Sequence, residues 1–112
     1  METTRQQKIA RLLQKDLALI FQQESNLRFS NSMVTVMKVS VTKDLSIARI
    51  YLSIFTTGNK ADILKHILVH TKEIRNQLGI RVKHQLRIIP QLEFYIDDSL
   101  DYIENIDNLL KQ

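Results

Sequence analysis

Between Lys72 and Arg87 the stretch KEIRNQLGIRVKHQLR carries Lys72, Arg75, Arg81, Lys83 and Arg87 against Glu73 alone, a net charge of +4 over 16 residues. His84 adds a group that can also charge. Cations at this density neutralise phosphates and release counterions, the chemistry of holding a nucleic-acid backbone. A second basic set, Arg5, Lys8, Arg11 and Lys15, steps by three or four residues, which on a helix places all four along one ridge. Together the two sets could flank one strand of a polyanion. The plain alternative is that both are solvated faces of ordinary helices.

Enzymatic constellations are poorly represented. His66 and His70 stand four apart in HILVH, with Glu73 three further on, so both imidazoles could face one metal. The zinc-protease motif needs a Glu directly after its first His to work on the bound water, and Ile67 occupies that place. Two histidines on the polar border of a helix is the favoured reading. Asp97, Asp98 and Asp101 could hold a hard cation, but at the start of a helix such carboxylates cap free N–H groups and oppose the positive dipole end. Phosphate-loop and nucleophile-elbow motifs need several close glycines, and the chain has only Gly58 and Gly79. No cofactor and no small-molecule substrate is called for.

With 112 residues, 44% of them apolar and 25% charged, the chain supports one domain and one core. Zero Cys removes disulfide frameworks, Cys-based zinc sites and thiol nucleophiles, and a reducing cytoplasm is the simplest compartment. The opening METTRQQKIARLLQKD is interrupted by charge every few residues, unlike a signal peptide or a membrane span. Residues 1–87 hold 15 bases and 6 acids while 88–112 hold 1 base and 6 acids. A basic body with an acidic end suits a protein that turns one face to a polyanion.

Periodicity supplies the elements that must position these groups. Ile9, Leu12, Leu13, Leu17, Ile20 and Phe21 trace one helical stripe from Thr3 or Thr4 to Gln23. ESNLRFSNS is a connection. MVTVMKVSV, residues 33–41, alternates as a strand with Met33, Thr35, Met37, Val39 and Val41 on one face and Val34, Val36, Lys38 and Ser40 on the other. A turn through Asp44 and Ser46 leads to a second strand in which Ala48, Ile50, Leu52 and Ile54 oppose Arg49, Tyr51 and Ser53. Asn59 caps a second helix from about Lys60 to Leu78, with Gly79 able to end or bend it and a short continuation through Ile80 to His84. Leu86 to Asp97 reads as a third strand, its Pro90 confined to an edge, a bulge or the strand entry. Leu100, Ile103, Ile106 and Leu110 space a last helix. Strand aromatics default to the core, although Tyr51 and Tyr95 point away from the apolar faces and could stack on a base.

The whole is α+β, a three-stranded sheet with helices packed on one face, in the order αββααβ plus a C-terminal helix. RQQKIARLLQKDLALIFQQE, VTVMKVSVTKDLSIARIYLSIF, IRNQLG and LRIIPQLEFYIDDSL, in that order over nearly the whole chain, resemble the ribosome-binding factor A family. Asp44, Leu45 and Ala48 resemble its strand-turn-strand signature, and Arg87, Pro90, Leu92, Phe94 and Asp97 its third-strand signature. The resemblance implies a KH-like (type II) fold over residues 1–112. It also implies a cytoplasmic, non-enzymatic assembly factor that binds the immature small (30S) ribosomal subunit and its 16S rRNA, assists rRNA processing, serves cold adaptation and leaves before translation. In the family an Ala-x-Gly site bends the helix pair; here it aligns with His70, Thr71 and Lys72, so the bend falls there or at Gly79.

The expected RNA surface is therefore Arg5, Lys8, Arg11, Lys15, Lys72, Arg75, Arg81, Lys83 and Arg87, read by shape and phosphate contact. Arg87, as a strand residue, has a neighbouring carboxylate as its rival partner. No membrane is involved and nothing demands more than a monomer. The rival from another class is a protein–protein adaptor with a basic docking face and a sheet edge open to a strand.

Overall fold

The computed structural model describes residues 3–23 and 32–97. Its elements run α1 (Thr4–Gln23), β1 (Ser32–Val41), β2 (Ile47–Thr56), α2 (Lys60–Val69), α3 (Thr71–Val82) and β3 (Gln91–Ile96). The expected C-terminal helix and the acids Asp98 and Asp101 lie outside the described residues.

The sheet order is β1-β2-β3, with β2 antiparallel to β1 and parallel to β3. A parallel neighbour needs a crossover connection, and α2 and α3 supply it. Ile9, Leu13, Leu17 and Ile20 of α1, Ile63 and Ile67 of α2, and Ile74, Leu78 and Val82 of α3 meet Ala48, Ile50 and Leu52 of the central strand in one core. Each fully buried Leu or Ile there contributes about 1.5–3 kcal/mol of hydrophobic stabilisation. Phe21 closes the far end of α1 on Phe94, ring edge to ring face at 6.2 Å and 88°. All three helices thus cover one sheet face, as the expected architecture requires.

Helix α1 opens with a reciprocal cap that also ties it to the sheet. Thr3 Oγ1 accepts from the Gln6 backbone N–H at 3.1 Å, and Gln6 Oε1 accepts from the Thr3 N–H at 2.9 Å, satisfying two donors that a helix start otherwise leaves orphaned. Gln6 is buried, and its Nε2 donates to the Val41 carbonyl at 2.8 Å.

Strand β1 departs from the expected alternation. Its register against β2 shifts between Val36 and Lys38, leaving Met37 as the extra residue of a β-bulge. The phase flips there: Val36, Val39 and Val41 are all buried, so Val34 and Val36 share a face with Val39 and Val41 rather than opposing them. Gln14 of α1 points its Nε2 at the Val36 and Met37 carbonyls, 3.4 Å from each.

The single helix expected from Lys60 to Leu78 is two helices. Asn59 caps the first as expected, its side chain accepting from the Ala61 N–H at 2.8 Å. The chain breaks at His70, with φ −97° and ψ 11°. There His70 Nδ1 lies 2.9 Å from the His66 carbonyl and Thr71 Oγ1 donates to the Ile67 carbonyl at 3.3 Å, so side chains compete for acceptors that the next turn of backbone would use. Gly79, the other candidate for the bend, lies inside α3 without positive φ.

Residues 83–90 return the chain to the sheet. Pro90 is buried just before β3, and Gln91 N donates to the Ser46 carbonyl at 2.9 Å to begin the parallel pairing. At the β1–β2 turn Leu45 adopts φ 63°, a left-handed conformation costing roughly 1–2 kcal/mol for a residue with a Cβ. Its side chain packs against the core edge, a contact that glycine would lose.

Candidate nucleic-acid interface

The nine basic residues do not form one uniform surface. Arg5, Lys8, Arg11 and Lys15 are exposed along α1 because Ile9, Leu13 and Leu17 commit the opposite side of that helix to the core. The first two reach further, lining a groove with Gln85 and Leu86 of the segment that follows α3. Arg5 also lines an adjoining groove with Arg87 and the turn at Asp44 and Leu45. The structure therefore brings Arg5 and Lys8, near the start of the chain, together with Arg87 of the loop before β3.

Arg87 lies in that loop rather than in the strand, exposed and without a carboxylate partner among the described residues. Arg75 and Lys83 line a third groove with Asn76, Gly79, Ile80 and Ile89, the last from the same loop. A Cβ at Gly79 would stand 3.5 Å from Ile89 Cγ1, an ordinary contact, so that glycine leaves the groove deeper rather than relieving strain. Lys72 is exposed in the first turn of α3, beside the break at His70.

Two of the expected contacts are engaged by partners within the molecule. Arg75 Nε donates to the Pro90 carbonyl at 3.1 Å and its Nη2 to the Ile89 carbonyl at 2.6 Å, fastening α3 to the entry of β3. Arg81 is only 29% exposed in its side chain; its Nη1 lies 3.8 Å from Asp16 Oδ1 and its Nη2 donates to Gln23 Oε1. It clamps α3 to α1. Neither guanidinium is as available to a phosphate as Arg5, Lys8 and Arg87. Asp16 and Gln23 are seven residues apart in the sequence and so share a helix face, but only the packing of α3 shows that Arg81 meets them.

The turn beside this surface is fixed by one carboxylate. Asp44 Oδ1 accepts from Ser46 Oγ at 2.7 Å, from Thr42 Oγ1 at 2.8 Å and from Ser46 N at 3.2 Å. The Ser46 hydroxyl foremost, then the Thr42 hydroxyl, hold the Asp44 carboxyl below its ordinary value. A depressed carboxyl stabilises the fold at pH values above its ordinary pKa, and that contribution disappears as pH falls through the lower folded value. Asp44→Asn is expected to flatten the acid limb of a plot of stability against pH, read by urea unfolding at several pH values, with little change in slope above pH ~6.

The open sheet face carries strand aromatics for which the core is the default expectation. Tyr51 and Tyr95 stack there at 5.4 Å and 25°. Tyr95 donates its hydroxyl to Glu93 Oε1 at 2.8 Å, and Arg49 Nε pairs with the same oxygen at 3.4 Å. Phe55, expected inside, is 73% exposed and sits opposite Met33, 64% exposed, in the β1–β2 register. His66 and His70 hold their rings 4.3 Å apart, and among the described residues no group of three or more potential ligands surrounds a metal position.

Comparison with known proteins decides the kinship. The family model described as ribosome-binding factor A matches residues 5–110. The chain belongs to the ribosome-binding factor A family. Ribosome-binding factor A of Cytophaga hutchinsonii is 47% identical over 112 residues, covering 100% of this chain and 84% of that protein. The Flavobacterium psychrophilum protein of the same name is 51% identical over 111 residues, with 98% and 85% covered. Among solved structures, the crystal structure of ribosome-binding factor A from Thermus thermophilus superposes with a TM-score of 0.65 at 22% identity, over 81% of this chain and 94% of that one. A homology model of the Thermus thermophilus factor, fitted into a cryo-EM map of its complex with the 30S subunit, gives 0.66 at 24% identity, over 80% and 91%. These neighbours establish the fold as the KH-like one that the family resemblance implies.

Proposed function

We propose that this chain is a single KH-like RNA-binding domain, acting as a non-enzymatic cytoplasmic assembly factor. It docks on the immature small ribosomal subunit, contacts 16S rRNA, and assists rRNA processing and late maturation. The observation that carries the mechanism is the convergence of Arg5, Lys8 and Arg87 on adjoining grooves, supported by the membership of the family and by the complex with the 30S subunit that its Thermus relative forms. Cations drawn from α1 and from the loop before β3 can hold two stretches of phosphate backbone at once, fixing orientation without reading sequence. Arg11, Lys15, Lys72 and Lys83 extend the positive field, while Arg75 and Arg81 set the geometry.

A backbone interface of this kind releases counterions on binding. Co-sedimentation with purified small subunits is expected to weaken steeply with salt, by roughly tenfold or more between 50 and 200 mM for three or more phosphate contacts. A salt-independent association would remove the phosphate mechanism. The protein–protein adaptor remains as a second reading on one observation, the exposed Met33–Phe55 pair at the edge of the sheet. Nuclease treatment separates the two: a partner retained after RNA digestion favours the adaptor.

A further inference from the structure

A phosphate track needs cations and water, yet the groove between Arg5 and Arg87 is built largely of hydrocarbon. Ile9, Leu45, Leu86 and Ile88 contribute to a cleft of about 410 Å³, at the small end of the range for ligand clefts, about 300–1,000 Å³. Ile88 is 77% exposed, a branched hydrocarbon left facing water beside Arg87. Leu45 keeps its side chain here on a left-handed backbone that glycine or asparagine would adopt more easily. Core packing accounts for Ile9 and for part of Leu45 and Leu86, but neither it nor the binding of a phosphate backbone explains the apolar groove wall they leave with the exposed Ile88.

We propose that this groove receives one nucleobase of RNA, unstacked from its neighbours, with its flat apolar faces against Leu86 and Ile88 and its flanking phosphates on Arg5 and Arg87. The proposal rests on the RNA-binding reading above and adds a base site to it. Bases splayed from single-stranded or bulged RNA combine apolar faces, a polar edge and adjacent anionic charge, and the groove offers a counterpart to each. An acidic amphipathic peptide would satisfy the cations and the hydrocarbon, but the rim argues against it. The Thr42 and Ser46 donors to Asp44 all use Oδ1, so Oδ2 remains an acceptor that repels carboxylates and can receive an N–H from a base edge.

The test uses the full chain and two single-stranded RNA oligonucleotides of one sequence, one with a central 2-aminopurine and one abasic at that position. The intact RNA is expected to bind about tenfold more tightly than the abasic one, a difference in line with stacking of one base, with a change in 2-aminopurine fluorescence. Ile88→Ala, at an exposed position, is expected to bring that ratio close to one while leaving thermal unfolding and abasic binding unchanged; Arg87→Ala weakens both RNAs alike. Equal affinity for the two RNAs overturns the base site and leaves the RNA reading standing. So does failure to bind either by a protein that still sediments with small subunits. Loss of sedimentation as well sinks both readings, and preferential binding of a peptide spanning residues 98–112 overturns the base site by assigning the groove to protein.

Discussion

The triple variant Arg5→Glu, Lys8→Glu, Arg87→Glu is expected to lose co-sedimentation with small ribosomal subunits by on the order of a hundredfold or more at moderate salt, since each reversal turns an attraction for the polyanion into a repulsion. Its thermal midpoint should stay near the parental value. All three residues are exposed, and their side chains make no hydrogen bond or ion pair among the described residues; surface substitutions of that kind usually fall within about ±0.5 kcal/mol. The matched control is Arg75→Glu with Arg81→Glu. That pair removes the donors to the Ile89 and Pro90 carbonyls and the clamp on Asp16 and Gln23, so its loss of binding should arrive together with a lowered midpoint. If the triple variant binds as well as the parent, the groove is not the RNA surface.

The contrast between those two sets shows what a sequence can display of a site. Charge and helical spacing mark Arg5, Lys8, Arg11 and Lys15 as outward facing, because the core stripe of α1 is legible from its own period. The clusters around α3 are different: whether Arg75 or Arg81 meets solvent or a carbonyl depends on which element packs alongside, a long-range fact that no local pattern carries. The same limit acts within elements. Alternation predicts β1 correctly up to Val36 and fails beyond it, because one bulged residue at Met37 exchanges the two faces. Periodicity runs one helix from Lys60 to Leu78, yet the chain breaks at His70, where side-chain donors rather than the backbone freedom of a glycine divert it. By contrast Asn59, Pro90 and the β2 pattern act through local chemistry and stand where that chemistry puts them.

Gln6→Ala is expected to be costly for a change at one polar residue, about 2–3 kcal/mol from the lost cap together with a backbone carbonyl left without its partner. For a domain of this size that is a fall of on the order of 10 °C in the midpoint of thermal unfolding. A second variant separates the two contributions. Thr3→Ala removes the other half of the reciprocal cap, the hydroxyl that receives the Gln6 N–H, and should cost about 1 kcal/mol; Gln6→Ala loses the matching Oε1 acceptor of the Thr3 N–H, so with the two cap bonds taken as equal its excess reports the bond from Nε2 to the Val41 carbonyl. That bond joins the first turn of α1 to the end of β1, and Gln6 lies between Arg5 and Lys8 at the same helix start. The residue that orders this turn therefore also sets where two groove cations stand. Below its unfolding range, Gln6→Ala should consequently bind small subunits more weakly than Thr3→Ala, although it removes no charge. Equal binding and equal midpoints for the two variants would show that the link to Val41 neither stabilises the fold nor positions the site.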